Sequence, residues 1–371
     1  MAPILASTCR RSRSGCVAEV LGARGREATG RFLLPRFLRL RFLLIAHPVP
    51  QSLVVLKFLG FRLLYTAAVL VIVSMLVFVV TELLPGNVAT MILGMDATPE
   101  DVARLEKQLG LNDPQTQRYL RWAGGVARGD FGESLRMQRP IGPILAERLR
   151  NSLVLAGVAF LMVGVGGLVL GVFTALREGT KTDRAVSAVS VVGTSMPEFV
   201  TATVLILVFA GGVFRVLPPS GYGGFSEGAG DALRHLILPA ASLAVILTAY
   251  VSRVTRTSVI DVLRSDYVRA ARLKGLPERT VIWRHVLPNA LVPSLTVLFM
   301  NLGWMLGGIV VVEEIFVFPG IGRLMLFGIA ERDWPVIQAC AVVIAAAYVL
   351  SNFFGDIAVA LVNPRLREWN K

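Results

Sequence analysis

The sequence predicts an all-α membrane protein with six transmembrane helices. It expects a long external segment between the first and second helices and a cytoplasmic loop between the fourth and fifth. Three observations carry this. The 371 residues are 54% hydrophobic and only 17% charged, against about 25% charged in soluble domains. Six apolar stretches each approach or exceed the ~20 residues that cross ~30 Å of hydrocarbon. Lys and Arg gather in alternate loops, as the positive-inside rule requires of a multi-pass chain. Helix is the natural conformation for these stretches, because an open sheet leaves its backbone unsatisfied in lipid.

Residues 1–55 form a basic N-terminal arm. Nine Arg against two acids give it +7 of the chain's formal net charge of +13. Arg recurs every few residues through Arg31, Arg36, Arg39 and Arg41, and a central Arg costs roughly 2.5–3.5 kcal/mol in a span. No uninterrupted apolar core leads to a cleavage site, so the arm does not read as a signal peptide. Two readings stand: a disordered arm that touches anionic lipid, or a segment upstream of a true start near Val55 or Leu56. The second predicts that mass spectrometry of the mature protein finds no peptide from Arg10 to Arg41.

The first helix occupies 56–84, its apolar part being Phe61–Leu84. The next spans are Ser152–Leu176, Ala185–Val213, Leu236–Val254, Pro288–Val312 and Pro335–Val362, giving a five-helix core over 152–362 and a tail over 363–371. Arg177, Lys181 and Arg184 follow the second span. Eight basic residues from Arg253 to Arg284 follow the fourth, and Arg365, Arg367 and Lys371 follow the sixth. The loop after the fifth instead carries Glu313, Glu314, Glu331 and Asp333. This alternation places both termini in the cytoplasm and makes 85–151 external. Within it, Thr98-Pro99-Glu100-Asp101 is a helix start.

The net positive charge does not point to nucleic acid, because the basic residues outside the arm flank apolar spans. Cys9, Cys16 and Cys340 show no metal or disulfide spacing, and His47, His235 and His285 are scattered. No metal or cofactor is expected. Gly179-Thr180-Lys181-Thr182 lacks the glycine spacing of a phosphate loop, so ATP hydrolysis cannot come from this chain. Gly193-Thr194-Ser195-Met196 lacks the second Gly of an intramembrane serine protease motif, and no His lies in the last two spans to serve as its base. Phe318–Gly322 is a Gly/Pro turn, with no strand before it to make a dinucleotide loop.

The loop over 261–288 carries the most information. In it, Asp266 to Pro293 reads DYVRAARLKGLPERTVIWRHVLPNALVP. Ala270 and Ala271 are followed by Gly275, a natural helix stop, and by Leu287-Pro288. Pro277-Glu278 is a start for a second short helix. This pattern resembles the cytoplasmic "EAA" loop of ABC-importer permeases, with Arg269 at the Glu position and His285 at the Ile position. Tyr267 to Leu276 is similar to the form found in the dipeptide, oligopeptide and nickel permeases. Further stretches resemble the same class across 56–371. They are Leu84–Asn87, Asp130–Ser134, Ser195–Phe199, Val312–Phe316, Phe318–Arg323, Arg332–Val336 and Asn363–Arg365, with Asn87 and Asn363 where Asp is commoner.

The resemblance implies a permease subunit that is not itself an enzyme. It would pair with a second related permease, two cytoplasmic ATP-binding subunits and an external solute-binding protein. ATP is bound by those partners. The coupling residues would be Arg269, Ala270, Ala271, Lys274, Gly275, Leu287 and Pro288. Small residues at 270 and 271 would let the ATPase approach closely. Peptide is the expected solute; nickel, glutathione and other small solutes belong to the same architecture. Ser195, Pro197 and Glu198 are candidates for the solute pathway, since an acid inside a span is expensive and usually functional. Asp356 is expected near the cytoplasmic face, paired with Arg365. Gly164, Gly166, Gly167 and Gly171 read as close-packing positions. Two other classes compete: a proton-driven transporter with Glu198 as carrier, and an intramembrane hydrolase using Ser195.

Overall fold

The computed structural model describes residues 51–83, 93, 98–110, 112–211, 214–225 and 228–362. The arm up to residue 50, Leu84–Asn87 and the tail from Asn363 lie outside them. The chain divides into two units, 1–57 and 58–371. Of the first, the described residues 51–57 are helical. Among the described residues no strand forms beyond one bridge between Glu133 and Pro140.

In chain order, α1 is Gln51–Leu83, α2 Pro99–Leu109, α3 Gln115–Ala127, α4 Ile141–Leu176, α5 Lys181–Ser195 and α6 Glu198–Ile206. A π-helical turn, Leu207–Gly211, continues α6. Then come α7 Ala229–Leu263, α8 Asp266–Leu273, α9 Glu278–Thr280, a second π-helical turn Val281–Val286, and α10 Leu287–Met300. The chain closes with α11 Leu302–Ile315, α12 Ile321–Glu331 and α13 Trp334–Val362.

Among the described residues four helices are long and apolar enough to cross a membrane: Gly60–Leu83 within α1, α4, α7 and α13. Two bent pairs bring the number to six if each pair is one span. The third expected span is the first pair. Its two halves meet at 112° around Met196-Pro197, far beyond the kink that a proline alone explains. The fifth expected span bends by 48° at Asn301.

Long helices also move the expected boundaries. At 1.5 Å per residue the 36-residue α4 is about 54 Å long. It begins at Ile141, inside the segment expected to be external. The 35-residue α7 runs nine residues past the apolar stretch that ends at Val254, because nothing between Arg256 and Leu263 stops a helix. Arg256 is therefore a helical residue. It grips the buried Asp183, at the start of α5, through two bonds of 2.7 and 2.8 Å. Thr98 caps α2 as its sequence predicts, its side chain accepting from the Asp101 N–H, and Gly110 ends that helix at φ +64°.

The core lies where α4, α6, α7, α10 and α11 meet, around Leu155, Val163, Leu243, Val251, Leu298 and Ile309. The largest helix contact is α4 against α7. Two small residues four apart on α4 make it possible. A methyl group at Gly167 would sit 2.8 Å from a Val251 methyl, and one at Gly171 would sit 2.4 Å from the Thr255 Cβ and 2.6 Å from the Ser252 carbonyl oxygen. Without water to drive association, such close approach is what holds helices together in lipid. Replacing Gly171 by Leu is expected to cost about 1–3 kcal/mol by overpacking, read as a lower melting temperature in detergent. Gly157→Leu is the control, since Gly157 has nothing within 4 Å of its missing Cβ.

Candidate functional site: the loop between the fourth and fifth spans

The loop is a short helix welded to the body along one face. Val268 and Ala271 lie three apart on α8, so they share a face. Both are buried, with Ala175, Val259, Ile260, Val281, Val286 and Ala290 around them. The other face of α8 looks outward: Tyr267, Arg269, Ala270, Arg272 and Leu273 are exposed, and Leu273 is 82% exposed. The expectation that small residues at both 270 and 271 admit a partner is thus corrected for Ala271, whose methyl is spent on its own core. Leu287 is likewise buried while Pro288 is exposed.

Gly275 stops the helix. Its N–H donates to the Arg272 carbonyl at 2.9 Å and its φ is +76°, a conformation that costs glycine little and other residues more. No atom approaches its missing Cβ within 4 Å. Arg272 then closes the turn on Glu278 with bonds of 2.6 and 3.1 Å. Asn289 donates to the Tyr267 hydroxyl at 3.3 Å, tying α8 to α10. The expected second short helix is instead the first turn of a continuous helical run, Glu278–Met300. Packing and the Asn289–Tyr267 hydrogen bond join α8 to α7 and α10.

Sequence reasoning missed the apolar part of this surface. Leu273, Leu276, Tyr267 and Trp283 are exposed, Trp283 by 67%, among Arg269, Lys274, Arg279 and Arg284. Trp283 within a basic loop was the available signal.

The pathway candidates gather at the break between α5 and α6. Ser195 and Pro197 are exposed and Glu198 is half-buried. Glu198 reaches α11, where a methyl group at Gly308 would stand within 2.5 Å of both carboxylate oxygens. The Ser195 hydroxyl donates to the Val191 carbonyl at 2.9 Å.

Arg365, the expected partner of Asp356, lies outside the described residues. Asp356 pairs with Arg62 of α1, so the first and last spans are joined. Two more acids are wholly buried. Asp333 accepts from the Ser134 hydroxyl at 2.5 Å and the Arg136 N–H at 3.1 Å. Glu313 accepts from the Ser152 hydroxyl and, at 2.8 and 3.2 Å, from the Gly322 and Arg323 N–H groups. The motifs at 130–134 and 332–336 are thus one contact, and those at 312–316 and 318–323 are another. Among the described residues no three His, Cys, Asp or Glu side chains come together to hold a metal ion.

Comparison with known proteins agrees with this geometry. Residues 167–368 match the family described as binding-protein-dependent transport system inner membrane component, and residues 55–155 match its N-terminal companion. A probable peptide ABC transporter permease of Sinorhizobium fredii is 39% identical, covering 82% of this chain and 97% of that protein. A di/tripeptide transport permease of Pseudomonas aeruginosa is 36% identical over 80% and 94%. A glutathione transport permease of Salmonella paratyphi A is 35% identical over 82% and 97%. These matches favour the importer over the proton-driven transporter and the hydrolase. With two family models covering most of 55–368 and relatives matched along nearly their whole length, the chain belongs to the binding-protein-dependent inner-membrane permeases, the membrane subunits of ABC importers.

Proposed function

We propose that this permease forms one half of the membrane pathway for di- and oligopeptides. A second related permease forms the other half. Two cytoplasmic ATPases supply the energy and an external solute-binding protein delivers the peptide. Both termini lie in the cytoplasm, so the 261–288 loop faces the ATPases and 85–151 faces the binding protein.

The observation that carries this reading is the two-sided α8. One face is locked to α7 and α10 by Val268 and Ala271, and the other offers Tyr267, Arg269, Ala270, Leu273, Lys274 and Gly275. ATP-driven closure of the ATPases moves that surface, and the spans rock as rigid bodies between two states. Ser195, Pro197 and Glu198 line the route because the helix is broken there. Irregular backbone at membrane depth is tolerated where it borders a cavity or protein. Peptide is chosen over other solutes because it is the cargo that names the first two relatives.

The test is uptake by a strain lacking only this gene, with labelled dipeptides, longer peptides, glutathione and nickel. Peptide uptake is expected to vanish. It should return with the intact gene, but not when the ATPases carry a dead nucleotide site. Loss of glutathione or nickel uptake alone would move the chain to another branch of the same family.

A further inference from the structure

The first half of the broken third span, α5, is barely seated. Asp183 is its only buried residue, at 3% exposed. Its apolar side chains look outward: Val189 is 71% exposed, and Val191 and Val192 are each more than half exposed. Among the described residues, every side-chain hydrogen bond from α5 to another helix ends on α7. Thr194 meets Arg253 at 3.4 Å, on exposed side chains. Asp183 is held by both prongs of the Arg256 guanidinium, out of water. The same carboxylate accepts the Gly179 N–H at 3.0 Å, and the Thr180 hydroxyl accepts the Asp183 N–H at 3.3 Å. The pair therefore fixes the turn that enters α5 as well as the start of the helix.

The other side of the pair belongs to the body that carries α8. Thr255, next to Arg256, is the residue against which Gly171 of α4 lies. The Ser258 hydroxyl donates to the Ala290 carbonyl of α10 at 2.8 Å. Val259 and Ile260 share a buried cluster with Val268 and Ala271 of α8. This stretch of α7 thus meets α4, α8 and α10, and through Arg256 it also holds α5. A buried ion pair is weak evidence for stability, since apolar residues of like volume often serve as well. A guanidinium fork does what they do not: it fixes direction.

We propose that Asp183 and Arg256 are positioning residues for transport. They make α5 follow α7 when the coupling loop moves, so that the break at Met196-Pro197 changes with the state of the ATPases. Neither touches solute. Without the pair α7 moves and α5 lags, and ATP is hydrolysed with little solute passing. The inference rests on the reading above that the 261–288 loop faces the ATPases.

The experiment uses the complete importer in proteoliposomes, with its partner permease, ATPases and binding protein. ATP hydrolysis and uptake of labelled dialanine are measured in the same vesicles. Asp183→Asn is expected to raise the ATP hydrolysed per dialanine at least about tenfold, the effect of losing hydrogen bonds to a charged group. Arg256→Lys keeps the charge without the fork and should raise the ratio less; it is also the milder variant should Asp183→Asn fail to assemble. Glu178→Gln breaks only the exposed pair with Arg264 and should match the parent. Hydrolysis and uptake that fall together, with the ratio unchanged, would overturn the proposal and leave the pair a purely structural role. Parent-like behaviour of both variants would overturn it too.

A second readout needs no solute. Spin labels at Val189→Cys on α5 and Tyr250→Cys on α7, in a chain whose native cysteines are replaced by Ala, report the separation of the two helices. It is read with the ATPases empty and with ATP held by a hydrolysis-dead nucleotide site. One separation in both states is expected with the pair intact, as for a rigid body, and a broader, state-dependent one with Asp183→Asn. A separation that changes between states with the pair intact would overturn the proposal. If the unmodified importer takes up no dialanine, the peptide reading falls, and the separation still decides the role of the pair.

Discussion

Replacing Glu313 by Ala is expected to lower stability by about 2–5 kcal/mol, because the Ser152 hydroxyl and two backbone N–H groups lose their acceptor and a buried donor left unpaired costs about 1–3 kcal/mol. The carboxylate is fully buried and stands at the N-terminus of α12. There it accepts the Gly322 and Arg323 N–H groups, two of the donors that an α-helix leaves free at its start. Its other oxygen accepts a hydrogen bond from the Ser152 hydroxyl, and the Ser152 oxygen accepts the Ile321 N–H at 2.9 Å. The Asn151 amide adds a bond to the Pro319 carbonyl at 3.0 Å. One side chain of α11 thus holds α4 to the start of α12. Gly320 is part of the device, because a methyl group there would stand 1.9 Å from a Glu313 oxygen. Gly320→Ala is expected to approach the same loss. Glu314, next in the chain, is exposed and only 3.7 Å from Arg323, so Glu314→Ala should change stability by less than about 1 kcal/mol. Melting curves in detergent decide this; coincident curves for Glu313→Ala and Glu314→Ala would refute it.

Gly275→Trp is expected to leave the protein inserted and folded while reducing ATP-driven uptake at least about tenfold, equivalent to 1.4 kcal/mol of lost docking. The position is open within this chain, with nothing within 4 Å of the missing Cβ. An indole therefore projects into the space that an ATPase subunit would occupy. The left-handed backbone adds a separate cost for any side chain, and Asn tolerates that conformation best. Gly275→Asn isolates it: the Asn variant should keep most uptake if bulk is the cause. Reconstituted vesicles in which the Trp variant couples ATP hydrolysis to uptake as well as its parent would remove Gly275 from the docking surface.

Much of the architecture is a local property, and the sequence alone determined it. Span length, helical class and the distribution of cations between loops need no knowledge of neighbours. The stop at Gly275 and the cap at Thr98 are equally local, since each depends on one residue's backbone or side chain. The 261–288 loop was legible for the same reason: Ala-Ala, Gly and Leu-Pro keep their spacing along one short stretch.

Only the tertiary structure decided what depends on distant partners. As letters, Glu313 and Glu314 are the same acid in the same helix; packing buried one against Ser152 and left the other in solvent. Ser134 and Asp333 are 199 residues apart, and Arg62 and Asp356 are 294 apart, so no window along the chain could pair them. Ala270 and Ala271 differ by a 100° turn of one helix, and the body of α7 and α10 settled which of them faces inward. The 112° break after Ser195 exceeds anything Pro197 dictates, because the direction of the second half is set by its seat against α7 and α11. Hydrophobic length is written residue by residue, whereas the fate of each charge within the spans rests on what the rest of the chain brings to it.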